Sequence, residues 1–152
     1  MPDHIIKFAT GNLPLGPCPI RPAWILEGNP VARNNMIAGS ADGTASTVMW
    51  DCTAGRFNWH YEIDETVCVV EGSVTVRDQF GDAQTLLAGD TAFFPAGSSA
   101  EWTVHKYVRK IAFMRQPLPR SVLFAKRAYR RLKRFVGKRA GGSEAPALFP
   151  SV

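Results

Sequence analysis

Gly55-Arg-Phe-Asn-Trp-His-Tyr-Glu-Ile-Asp-Glu-Thr-Val-Cys-Val-Val-Glu-Gly72, followed by Gly89-Asp-Thr-Ala-Phe-Phe-Pro-Ala-Gly97, decides the fold. Both stretches are short runs of β-branched and aromatic residues closed by glycine, the pattern of strands joined by tight turns. The same texture extends outward over residues 34–115. Val48, Trp50 and Cys52 alternate with Thr47, Met49 and Asp51, and Val74 and Val76 alternate with Ser73, Thr75 and Arg77. A period of two puts one set on a buried face and the other toward solvent or a partner. Asp78-Gln-Phe-Gly81-Asp82 reads as a hairpin turn with Gly81 at positive φ. Further strands are expected near 84–87, 91–95, 100–105 and 108–114. The whole is an all-β sandwich or barrel.

Residues 1–33 carry Pro14, Pro19, Pro22 and Pro30 and suit an extended arm, with Ile5, Ile20, Trp24 and Leu26 available for packing. Beyond Pro117 and Pro119 the pattern changes to a period of 3.6. Phe124, Ala125, Ala128, Tyr129, Leu132, Phe135 and Val136 fall on one side. Lys126, Arg127, Arg130, Arg131, Lys133, Arg134 and Lys138 fall mostly on the other. The divisions are an arm over 1–33, a β domain over 34–118, a basic amphipathic helix over 119–140 ended by Gly141-Gly142, and a loose tail over 141–152.

The 152 residues are enough for one domain with a core, and the net charge of +5 is unevenly spread. Residues 1–119 sum to −3 and residues 120–152 to +8, so the high pI belongs to the tail and does not mark the whole protein as nucleic-acid binding. No export signal or run of about 18 apolar residues is visible. Cys18, Cys52 and Cys68 are odd in number and lack Cys-x-x-Cys spacing. These features point to a cytoplasmic protein, peripheral at a membrane if the helix docks there. For that helix three fates compete: capping the β domain or a homodimer partner, lying on an anionic membrane surface, or contacting nucleic-acid phosphates, ranked in that order.

The glycines, proline and glutamate of the opening stretches resemble the two motifs of the cupin superfamily. The first motif is His-x-His, three or four residues, Glu, six residues, Gly; the second is Gly, five residues, Pro-x-Gly, two residues, His, and later Asn. Glu65, Gly72, Gly89, Pro95 and Gly97 match. With a four-residue spacer the two histidine positions fall on Asn58 and His60, the third on Ala100 and the Asn on Val104. The resemblance implies a cupin jelly-roll β-barrel over about residues 35–115. Phe57-x-Trp59, Asp64-Glu65, Glu71-Gly72, Gly89-Asp90, Trp102 and Arg109-Lys110 are most similar to the branch that includes (S)-ureidoglycine aminohydrolase. In that alignment Glu101, just before Trp102, joins Asn58, His60 and Glu65 in the site.

Alternation along a strand lets Asn58 and His60 enter together while Trp59 and Tyr61 point away. His60 and Glu65, with Asn58 as a weak third donor, would suit manganese, iron, nickel or zinc, although Ala100 removes an imidazole. Strand parity opposes a further ligand at Glu101, because Ala100 and Trp102 share the other face. A bare His–Glu hydrogen bond without metal explains the same residues. The expected pocket is therefore Asn58, His60, Glu65, Glu101 and Trp102, with metal at His60, Glu65 and Asn58 if one binds. Two functions follow. One is a metal-dependent enzyme acting on a small nitrogen-containing or carboxylate metabolite. The other is a non-catalytic cupin that binds a small ligand or a partner, with the basic helix on a membrane.

Overall fold

The computed structural model describes residues 5, 7–9 and 11–137, the last three of these by backbone alone. The chain divides into two units at Pro117 and Leu118. The first is an antiparallel sheet and the second contains one helix, α1, Arg120–Gly137. Expectations for Lys138 to Ala140, the Gly141-Gly142 stop and the tail lie outside the described residues.

Eight strands form the sheet: β1 Gly16–Pro17, β2 Ile25–Gly28, β3 Ala32–Gly39, β4 Ala45–His60, β5 Asp64–Asp78, β6 Ala83–Leu87, β7 Thr91–Phe94 and β8 Ser99–Arg115. The main path runs β1-β3-β4-β8-β5-β6, with β2 on β4 and β7 on β5. The sheet thus begins within the segment expected to be an extended arm. Pro17 is tolerated in β1 because that strand lies at an end of the path, where a missing N–H breaks no interior ladder. Ile20 is buried and Trp24 packs against the core, whereas Ile5 and Leu26 are exposed.

The expected strands at 100–105 and 108–114 are one continuous β8. His105-Lys106-Tyr107 offers no Gly or Pro to end it, and its partners absorb the irregularity, with register shifts at Thr53/Gly55 in β4 and between Val69 and Thr75 in β5. The Asp78–Asp82 turn forms as expected, with Gly81 at φ 96° and its N–H bonded to Asp78 O.

Trp50, Phe57, Val67, Val69, Val74, Trp102, Val104 and Val108 fill the inner face. Phe57 and Trp102 stack with centroids 6.3 Å apart, and Trp50 meets Trp102 edge-on at 5.9 Å. Such contacts add about 0.5–1.5 kcal/mol each beyond area burial. The outer face is covered at one place. Met49 and Asp51 are buried there, and the segment before β1 crosses it: Asn35 Nδ2 donates to Pro14 O at 2.9 Å and Arg109 Nη2 to Leu13 O at 3.4 Å. Asp51 is held by Arg33 through both carboxylate oxygens, at 3.0 and 2.5 Å, and by the Tyr107 hydroxyl at 2.8 Å.

Candidate functional site

Strand β4 delivers its aromatic residues inward. Phe57 and Tyr61 are buried and Trp59 lines an internal cavity, while Asn58 is half-buried and His60 exposed. This reverses the expected orientation. Phe57, Trp59 and Tyr61 form the more apolar parity set, and burying three rings outweighs burying an amide and an imidazole. With the three-residue form of the cupin spacer, the two histidine positions fall on Trp59 and Tyr61 instead.

Glu65 and Trp102 do enter the interior. Glu101 lies on the outer face opposite Asn58 in the β4–β8 ladder, with a carboxylate oxygen 3.5 Å from Arg56 Nη1. His60 meets the Trp24 ring edge-on, centroids 5.0 Å apart. Of the five residues expected in the pocket, the structure brings Glu65 and Trp102 together and leaves Asn58, His60 and Glu101 outside.

Lys110 takes the place expected of the metal. It stands on β8 between the inward-facing Val108 and Ala112, and its Nζ donates to Glu65 Oε1 at 2.6 Å. Both residues are almost wholly buried, at 5% and 3% exposure. The two come from different rows of the sheet, since Val69 and Trp50 flank Lys110 while Met114 faces Glu65. The row between them holds Ala112, whose small side chain leaves the gap in which the long side chains meet. Lys110 Nζ also sits 4.6 Å from the Trp102 ring centroid and 5.0 Å from that of Trp50. A desolvated ammonium on aromatic faces gains about 2 kcal/mol or more.

A cavity of about 90 Å³ opens beside this pair, lined by Glu65, Lys110 and Asn34 and by apolar residues that include Trp50, Trp59 and Trp102. It holds roughly three water volumes. Trp102 Nε1 donates to the Tyr61 hydroxyl at 3.0 Å. Burial first, and then the Glu65 charge, push the Tyr61 phenol well above its ordinary value, so it stays neutral. Trp50 has its indole N–H buried with no acceptor among the described residues. Cys18, at the cavity wall, is raised by burial against an opposing effect of Lys110.

These residues do not fit a metal. The positions that would supply imidazoles hold Trp59, Tyr61 and Ala100, and the one carboxylate already has a fixed ammonium on it. Among the described residues no three His, Cys, Asp or Glu side chains converge as a ligand set. Cys52 is buried in the core with its thiol pushed up to about 12, chiefly by desolvation, which suits a small hydrophobe. His105 is an exposed surface residue beside Thr75. A larger concavity of about 590 Å³ lies on the outer face around Thr47, Thr66, Phe93 and Phe113, where the charged pair Asp64–Arg115 is closed at 2.8 Å. The smaller interior cavity has the convergent polar groups.

Lys110 and the inward Trp59 are the residues that sequence reasoning missed. The available signal was parity: Val108-x-Lys110-x-Ala112 places a lysine in the apolar phase of a strand, where a charge requires a partner.

Fold and site together define a mostly-β, antiparallel domain with a small, aromatic-walled interior cavity. Residues 39–112 match the EutQ-like cupin domain. Among solved structures, it is 28% identical to a DUF861-family protein of unknown function from Pseudomonas syringae pv. tomato. That match covers 68% of this chain and 45% of the other, with a TM-score of 0.63. The chain therefore spans less than half the length of that relative. It is 27% identical to a putative ethanolamine utilization protein Q from Salmonella typhimurium, over 56% of this chain and 69% of the other, at a TM-score of 0.51. A cupin-like protein from Thermotoga maritima, 14% identical, shares the fold over 69% and 80% of the two chains at a TM-score of 0.56. No curated protein matches the chain.

Proposed function

We propose that the domain is a metal-independent binding module for a small neutral amide or ureide, recognised in the cavity beside Lys110 and Glu65. The observation that carries this reading is the buried 2.6 Å ion pair within the tryptophan cluster. A neutral group with adjacent N–H and C=O can donate a hydrogen bond to Glu65 and accept one from Lys110 without separating them. The unpaired Trp50 N–H supplies a further donor, and satisfying it removes a burial cost of about 1–3 kcal/mol. A carboxylate ligand is disfavoured by comparison, because it would bring a second negative charge to Glu65 in a dry site. Apart from Asn34 the rest of the wall is apolar, as small-ligand sites generally are.

A thermal-shift panel of matched amides, ureides and carboxylates at pH 7, run in a chelator, tests this. At about 100 times its Kd a ligand stabilises by about 2.7 kcal/mol, a readily measured shift. The expected result is stabilisation by at least one small amide or ureide, undiminished by chelation and lost in Trp59→Ala. Stabilisation by carboxylates alone, or only with added manganese or zinc, would overturn the proposal, as would a panel with no effect.

A further inference from the structure

We propose that α1 docks on an anionic membrane surface, lying in the plane of the headgroups. The helix has 18 residues, Arg120–Gly137, with seven Lys or Arg and no acidic residue. At 100° per residue, Phe124, Ala128, Leu132, Ala125, Tyr129 and Val122 occupy one arc of about 160°, with Ser121 among them. The complementary arc runs from Lys133 and Lys126 through Arg130 and Arg134 to Arg131, interrupted by Leu123 and the terminal Gly137. On the described helix Phe124 is 77% exposed, Tyr129 64%, Leu132 63% and Val122 43%.

Two features select the occupant. A second copy of the chain would bring an equally basic helix, with no acidic residue on either to offset the repulsion. A polyanion such as nucleic acid would match the charge but leave the rings in water. An anionic bilayer satisfies both, because the apolar arc enters the acyl boundary while the cations reach the headgroups. At about 1.5 Å per residue the helix is some 27 Å long, yet no helix among the described residues is apolar enough to cross a membrane. It lies on the surface.

The test is co-sedimentation of the full chain with vesicles of phosphatidylcholine alone or with phosphatidylserine. Three proteins are compared: the parent, the quadruple variant R130Q/R131Q/K133Q/R134Q, and F124E/L132E. The unfolding transition of the β domain, unchanged in the variants, verifies that they are folded. The parent should bind only the anionic vesicles, and both variants should lose roughly tenfold or more of that binding. Absence of parent binding, or equal binding to neutral vesicles, refutes the proposal. So does full retention by F124E/L132E, which would show that charge alone suffices and that a polyanion such as RNA is the better partner. Parent that forms a dimer through the same face and leaves the vesicles unbound also refutes it.

Discussion

Replacing Lys110 by Met keeps the length and much of the volume of the stem but removes the ammonium that neutralises Glu65. The carboxylate would then be left 3% exposed among Trp50, Trp102 and Val67, with its 2.6 Å partner gone. Removing one member of a buried pair costs about 3–5 kcal/mol, because the survivor is an uncompensated charge. The lost contacts with two indole faces act in the same direction. Against a total stability of about 5–15 kcal/mol, the variant should be severely weakened. Replacing both partners is different: Lys110→Met with Glu65→Leu removes the charges together and should come within about 2 kcal/mol of the parent, or exceed it. Urea unfolding at pH 7, with midpoint and slope fitted separately, measures all three proteins. A single variant within about 1 kcal/mol of the parent, or a double variant as weak as the single, would show that the pair does not sit in a dry interior.

His60→Ala and Glu101→Gln should each cost less than about 1 kcal/mol and leave ligand-induced thermal shifts intact, because both side chains lie outside the cavity; loss of the shift in either would return them to the site. Gly72→Ala should destabilise by about 3 kcal/mol or more in the same urea assay. Gly72 has φ 73°, and an added Cβ would lie 2.0 Å from Tyr107 O; a loss under about 1 kcal/mol would mean that the β5–β8 crossing yields easily. Cys52, raised to about 12, stays a neutral thiol in the fold. Its contribution to stability is therefore complete below the unfolded thiol value of about 8.5 and declines as pH rises from there toward 12. At pH 8 a thiol-reactive probe followed by mass spectrometry should spare Cys52 in the native protein and label it in urea; equal rates would contradict its burial.

The framework was legible because glycine and proline constraints are local. Gly72, Gly89 and Gly97 all adopt positive φ, at 73°, 98° and 85°, and residues of this kind announce turns by spacing alone. The loop of the second motif is then tied back to the first: Gly97 N–H donates to Tyr61 O at 2.7 Å, and Ala96 N–H to Asp64 Oδ1 at 3.0 Å. That backbone bond, ahead of the Arg115 contact, holds the Asp64 carboxyl below its ordinary value. The interior was less legible, because it depends on a single choice of phase. The two permitted spacers before Glu65 differ by one residue, and a one-residue slip exchanges the faces of a strand. Chemical expectation favoured the phase that placed His60 inward. Hydrophobicity favoured Phe57, Trp59 and Tyr61, and the structure follows hydrophobicity.

The same preference accounts for Lys110. Once Trp59, Tyr61 and Ala100 occupy the imidazole positions, Glu65 is a buried carboxylate with no metal-binding companions. It requires a cation from within the chain, and the inward phase of β8 supplies one from the neighbouring strand. A metal bound at such a place offers open coordination positions to a substrate. A lysine offers donor hydrogens and a fixed charge, and it comes with its counter-charge already in contact. The resulting site is neutral overall and dipolar, and its walls are indoles. On the proposed reading, those properties suit the capture of a neutral polar molecule better than the activation of water.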